Sequence, residues 1–434
     1  MNRRNFIRKT ALAGAGAFVA PYILPSGRLY AATGARLANH VVFCLFAGGV
    51  RNLESVHKAD GNLMPHTLTG SESISSDIVG GLDPVNPLGS QPLQNFGTLF
   101  KEFRYKQGPT GHYNGHTTAI TGTYTQNDLN IKQPPLYPTV FEYYRKHNSP
   151  TNNALNAWWI SDALGPYPFL NYSIDTNYGA QYGANYVQPG TFISGATYNV
   201  LANPKDFSGS EKTTADNLRK LFDGNFGNQY TPGDAGVEND GSDTALLETF
   251  INNEFTNAAS GMYNDPWGQG YMNGDMTNVF FAERVIQEFQ PELLVVNMQN
   301  VDICHSNFTQ YCNNLRKADY ALAHLWETIQ STPGMANDTV LIAVPEHGRN
   351  LSENTLVDQY GRFALDHTGE EMSREIFCLV AGPAGVVKQN QTINQVSGES
   401  IDVVPTIANI LGFYDDIPLG YRNRMGVMLT QAFN

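Results

Sequence analysis

Residues 338–350 read DTVLIAVPEHGRN, and the fold turns on that junction. Thr339 to Val344 is a continuous apolar run, the pattern of a strand buried on both faces. It runs straight into a carboxylate, an imidazole, a glycine and a guanidinium: Glu346, His347, Gly348 and Arg349. A core strand has no use for that series, whereas a site at its carboxyl end does. Four further runs share the character: HVVFCLFA at 40–47, stopped by Gly48-Gly49, then ALNAWWI at 154–160, LLVVNM at 293–298 and IFCLVA at 376–381. Each reads as a strand of a largely parallel central sheet.

Helical patterns lie between these runs. Pro138 to His147 opens behind a proline, Thr277 to Phe289 precedes a strand, and Phe308 to Gln330 is long and amphipathic. Val403 to Leu411 is a further helix, starting near Pro405. Strands alternating with helices define an α/β fold, here a three-layer α/β/α sandwich with right-handed crossovers. Residues 37–434 read as one such domain. The stretch from about 165 to 275 is rich in Tyr, Asn, Gly and Thr and reads as an inserted cap region over one end of the sheet.

The chain has 434 residues, 41% hydrophobic and 15% charged, which fits a globular protein with a sizeable core. Residues 1–36 do not read as part of the fold. MNRRNFIRKTALAGAGAFVAPYILPSG has twin arginines, Arg3 and Arg4, then a short apolar run of small residues and no acid. That is the pattern of a twin-arginine signal segment, with cleavage expected near Tyr30-Ala31-Ala32. The run is too short and glycine-rich to span a bilayer well, and no later segment reaches spanning length. The mature protein is therefore expected to be periplasmic or extracellular. The net charge is −13, and it falls to about −18 without Arg3, Arg4, Arg8, Lys9 and Arg28, which argues against nucleic acid as a partner. Cys44 and Cys378 lie in apolar runs and read as buried thiols. Cys304 and Cys312 are close enough in sequence to form a disulfide after export.

The chemistry concentrates at three strand ends. Asp302 and His305 follow the run at 293–298, Glu346 and His347 follow the run at 339–344, and Asp366-His367 precede the run at 376–381. A carboxylate and an imidazole three apart on a loop can reach one cation. Adjacent side chains on an extended chain point to opposite faces, so Glu346 and His347 are expected to serve neighbouring positions rather than a single one. Taken singly, each pair is what a helix cap, a strand-end hydrogen bond or a turn also produces. Together, in one α/β order, they read as a site.

This order resembles that of the alkaline phosphatase superfamily of phosphatases, phosphodiesterases, phosphomutases and sulfatases. The tail SIDVVPTIANILG at 400–412 resembles its terminal helix. The chain is more similar still to a twin-arginine-exported branch with Gly-Gly, Ser-His-Phe, Asp-Thr-His, Glu-Phe-Gly-Arg and Asp-His motifs. Here these read Gly48-Gly49, Gly111-His112-Tyr113, Asp302-Ile-Cys-His305, Glu346-His-Gly-Arg349 and Asp366-His367, over about 37–161 and 290–415. The resemblance implies one or two divalent metal ions, commonly zinc, in two-metal sites about 4 Å apart. Asp302, His305 and His367 would hold one ion, and Glu346 and His347 would reach the second. Where the superfamily's first strand ends in a metal-binding Asp, this chain reads FAGGVRNLESV, with Arg51 near that place and Asn52 or Glu54 as other oxygen donors. Counting back from Thr121-Gly122, the nucleophile's place falls on His112, which could act as nucleophile, general base or ligand. Arg51 and Arg349 are candidates to clamp an anion.

The expected function is that of an exported metal-dependent hydrolase of phosphate or sulfate esters, acting on a small anionic ester or a glycan-linked substrate. The rival is a non-catalytic binding or surface-assembly protein that keeps the fold and part of the metal site.

Overall fold

The structure, a computed structural model, describes residues 34–125, 134–148, 154–162, 170–192 and 241–434. The leader motif up to residue 33 and the middle of the expected insertion, 193–240, lie outside the described residues. Among the described residues ten strands run in chain order as β1 (His40–Phe46), β2 (Gly97–Arg104), β3 (Ala157–Ile160), β4 (Asn185–Val187), β5 (Leu293–Met298), β6 (Thr339–Pro345), β7 (Glu353–Val357), β8 (Phe363–Leu365), β9 (Glu375–Ala381) and β10 (Gln391–Ile393). The longer helices are α1 (His112–Thr121), α2 (Val140–His147), α3 (Gly241–Ala259), α4 (Gly274–Phe289), α5 (Phe308–Ser331) and α6 (Val403–Ile410).

Eight strands form the central sheet in the order β10-β2-β9-β6-β1-β5-β3-β4, and β7 and β8 form a separate hairpin. β1 sits inside the sheet, parallel to both β5 and β6. Its side chains alternate between two cores: Val42, Cys44 and Phe46 face one, and Val41, Phe43 and Leu45 the other. Strands wet on neither face need apolar residues at every position, which is why β1, β5 and β6 read as unbroken runs. Phe250, Phe281 and Leu322 bring α3, α4 and α5 to the first face. Ile120, Phe141 and Ile407 bring α1, α2 and α6 to the second, completing three layers.

The sheet is mostly parallel but not wholly so. β9, which the sequence reads as parallel, runs antiparallel to both β6 and β2. The cause is its connection. A parallel return needs a crossover, usually helical, and between Pro345 and Glu375 the chain makes only the β7–β8 hairpin and a short 3-10 turn. The reversal puts the start of β9, not its end, at the edge where β1, β5 and β6 finish. Asn185–Val187, within the expected insertion, joins the central sheet beside β3. All four cysteines are buried free thiols, so Cys304 and Cys312 are not bridged here. Among the described residues no helix is long and apolar enough to cross a membrane.

Candidate metal centre

The site forms where three chain segments leave the sheet and α1 begins. β1 ends in Gly48 and Gly49, both with positive φ, 94° and 82°. A Cβ at Gly48 would fall 2.6 Å from Asp302 Cβ, and one at Gly49 2.6 Å from His347 Nδ1. Only glycine allows this conformation and this approach together. β5 leads into a 3-10 turn, Asn300–His305, that carries Asp302 and His305. β6 bends at Glu346, so Glu346 and His347 do not diverge as they would on an extended strand. Both reach the same group, which corrects the expectation that they serve separate positions. His367 follows β8, and His112 opens α1 behind Gly111. A Cβ on Gly115 would lie 2.8 Å from Glu346 O, so the glycine lets α1 press its first turn onto the site.

Among the described residues two groups of ligand atoms result, each with its atoms within 4.8 Å of one another. The outer one comprises His112, Asp302, His305 and His367, and the inner one His112, Glu346 and His347. All five residues expected as ligands are therefore brought together, with His112 common to both groups. The outer group is the accessible one: the side chains of His305 and Asp302 are 37% and 23% exposed, against 0% for Glu346.

The hydrogen bonds of the imidazoles decide which nitrogen faces inward. His347 Nδ1 donates to Gly348 O at 2.8 Å and His367 Nδ1 donates to Thr110 O. Each ring therefore presents an unprotonated Nε2, and both of these buried atoms lack a hydrogen-bond partner. His347 Nε2 also lies 3.2 Å from Glu346 Oε1 without a hydrogen to share, so a lone pair faces a carboxylate oxygen. Burial, followed by the neighbouring cationic groups, holds the His367 pKa far below the ordinary imidazole value. Burial likewise lowers that of His347 against the pull of Glu346. Both rings are neutral at physiological pH. Buried acceptors left unsatisfied cost about 1–3 kcal/mol each. A cation among them removes that cost, so the donor set, nitrogen and carboxylate oxygen, fits a divalent ion such as zinc.

The carboxylates point the same way. Burial would raise the pKa of Glu346, but His116 and His112 outweigh it and hold the carboxyl well below its ordinary range. Asp302 is also lowered, burial being overcome by hydrogen bonds from His112 and His305 and by the charges of His112 and Arg349. Both are ionised. His112 lies between them, with Nδ1 2.7 Å from Glu346 Oε1 and Nε2 3.3 Å from Asp302 Oδ1. Burial opposes its charge, yet the two carboxylates raise its pKa to about 10.

Three residues take places that the sequence did not reveal. Asp366 Oδ1 is 2.6 Å from His305 Nδ1, orienting the ring rather than offering itself as a ligand. His116 is buried, with Nδ1 2.8 Å from His112 O and within ion-pair reach of Glu346 Oε2. Arg349, 0% exposed, spends its guanidinium on Gly48 O, Gly49 O, Leu365 O and Asp302 Oδ1, the last at 2.8 Å. Arg51 pairs with Glu54 and extends to Asn350 O at 3.4 Å, so Glu54 serves the arginine rather than the ligand groups. Asp366 was legible in the sequence as part of the Asp366-His367 pair, but its partner is His305 and not its neighbour.

Comparison with known proteins gives one kind of match. No protein-family description matches the chain. No curated protein matches it either. Similar solved structures include a protein in the alkaline phosphatase superfamily from Vibrio parahaemolyticus, 12% identical with a TM-score of 0.42, covering 92% of this chain and 74% of that one. The alkaline phosphatase PafA is 11% identical with a TM-score of 0.47, covering 92% and 99%. The lipoteichoic acid synthase LtaP from Listeria monocytogenes is 12% identical with a TM-score of 0.42, covering 87% and 73%. The superfamily of the Vibrio protein is the one that the sequence motifs resemble. Nothing about activity follows from likeness at this identity, and the chemistry rests on the site itself.

Proposed function

We propose that the chain is an exported, metal-dependent hydrolase of phosphate or sulfate esters. The observation that carries the metal part is the pair of neutral imidazoles, His347 and His367, whose buried Nε2 atoms lack a hydrogen-bond partner, that of His347 lying 3.2 Å from Glu346 Oε1. The ester class rests on the resemblance of the strand-end motifs and their order to those of the alkaline phosphatase superfamily. Asp302, His305 and His367 hold one ion and Glu346 and His347 reach the second. Bound divalent ions would polarise the ester oxygen and neutralise charge developing on it.

The chain's own residues do the positioning. Asp366 fixes the ring of His305, Thr110 O fixes that of His367, and Gly348 O fixes that of His347. Arg349 holds Asp302 and ties it to the Gly48-Gly49 turn. A small anionic ester or a glycan-linked one approaches over His305 and Asp302, the open side. Arg51 and Arg349 were candidates to clamp it, but their donors are committed to Glu54, backbone carbonyls and Asp302, so the reading leaves the anion's charge to the bound ions. The leader pattern supports twin-arginine export to the periplasm or beyond.

One observation favours the rival reading, a binding or assembly protein that retains metal. His112 stands at the nucleophile's place, and the nearby hydroxyl of Thr110 is spent on His367 O at 2.7 Å. A panel of phosphate and sulfate monoesters and diesters, assayed for released phosphate or sulfate by metal-loaded protein, separates the two. Turnover of one class that disappears with His305→Ala supports the hydrolase. Bound metal with no turnover of any ester supports the rival.

A further inference from the structure

Within this metal reading, one residue has a place that the expected ligand assignment does not account for. His112 belongs to both ligand groups, and its contacts divide by nitrogen: Nδ1 faces Glu346 in the inner group and Nε2 faces Asp302 in the outer. The ring also lies close to two other imidazoles of the groups, with centroids 4.8 Å from His367 and 5.5 Å from His347. We propose that His112 is a bridging ligand, joining two metal ions through its two ring nitrogens. The inference rests on the metal-binding reading but not on hydrolysis.

Two independent features build the bridge. Gly115 allows α1 to approach Glu346 closely. His112 is the first residue of α1, so its ring projects from the start of the helix into the gap between the ends of β5 and β6. The proton balance is simple. His112, held between two carboxylates, starts as an imidazolium with an N–H on each nitrogen. Two nitrogen–metal bonds form, both N–H bonds break, each electron pair stays on its nitrogen and two protons leave to solvent. Ions on opposite edges of one ring stand farther apart than the about 4 Å of two-metal hydrolases. A single ester oxygen could not then be shared by both. The arrangement favours chemistry at one ion, with the other supporting it through the bridge.

The test is loading of metal-stripped full-length mature protein with Cu(II), followed by elemental mass spectrometry and electron paramagnetic resonance. An imidazolate-bridged pair is magnetically coupled. Two copper ions per chain with a spin count well below the copper present is the expected result, and His112→Gln should raise the count toward that of isolated ions. Should that variant not fold, the spin count of the parent decides alone. Two ions giving two full, independent spins would overturn the bridge. One ion per chain would also overturn it while leaving a metal site standing. Failure to bind copper with the native circular dichroism retained would remove the metal reading itself.

Discussion

At the scale of single residues, the site is organised by groups that do not bind the ion. Asp366 turns the His305 ring, and such carboxylate partners are typically worth about 10–100-fold in metal affinity. Asp366→Asn should weaken metal binding by that order with little loss of stability, as read by competition with a chelating dye; unchanged affinity would remove Asp366 from the site. Arg349 is a different case. Its guanidinium is wholly buried against backbone carbonyls and Asp302. Removing one partner of a buried ionic contact costs about 3–5 kcal/mol. Arg349→Met should destabilise by that order in urea unfolding, and Arg349→Lys should not recover it, because a single ammonium cannot reach a fork of acceptors. A variant of near-parental stability would return Arg349 to the role of an anion clamp. Sequence reasoning found Arg349 by its place in the motif but not its use, since nothing in EHGRN says whether a guanidinium faces inward or outward.

At the scale of elements, the β6–β9 connection determines the site. β9 is antiparallel, and therefore its leading residues arrive at the same edge as the ends of β5 and β6. The apolar run of β9 was legible, whereas its direction was not, because burial patterns are the same for both senses of a strand. The length and helix-free character of the loop after Pro345 held that information. β2, β4 and β10 escaped sequence reading for another reason: GTLFKEFR mixes charge into its second half, and the other two are three residues each. The loop itself leaves no room at Gly348, where a Cβ would stand 2.6 Å from Glu375 O. Backbone cannot move aside as a side chain can. Gly348→Ala should lower the melting temperature and weaken metal binding together, by displacing Glu346 and His347 from α1. Loss of stability with unaltered metal content would mean that the loop tolerates the shift.

At the scale of the whole molecule, the described sheet and its two helical layers were largely legible. Unbroken apolar runs marked the central strands, and polar residues at their ends marked the site. What stayed hidden was which charges are buried. Glu142 in α2 shows this. It closes a capping box with Thr139, is buried and bonded to Thr139 N, Ser173 Oγ and Gly179 N, and burial raises its pKa from 4.5 to about 7. The folded state thus keeps a proton that the unfolded chain has already lost between about pH 4.5 and 7. Its contribution to stability is complete below that window and declines as pH rises through it, then stays flat. The stability of the parent relative to Glu142→Gln should fall between pH 5 and about 7.5, as measured by urea unfolding at several pH values. A difference independent of pH would place the carboxyl near its ordinary value.

The central claim is that two clusters of imidazole and carboxylate atoms at the carboxyl edge of the sheet bind divalent metal. Elemental mass spectrometry of the exported mature protein, beside His305→Ala and His347→Ala, tests it most directly. The account predicts metal in the parent, with the outer group emptied by His305→Ala and the inner by His347→Ala. Parent protein that carries no metal after growth and dialysis against zinc, while remaining folded, would contradict it.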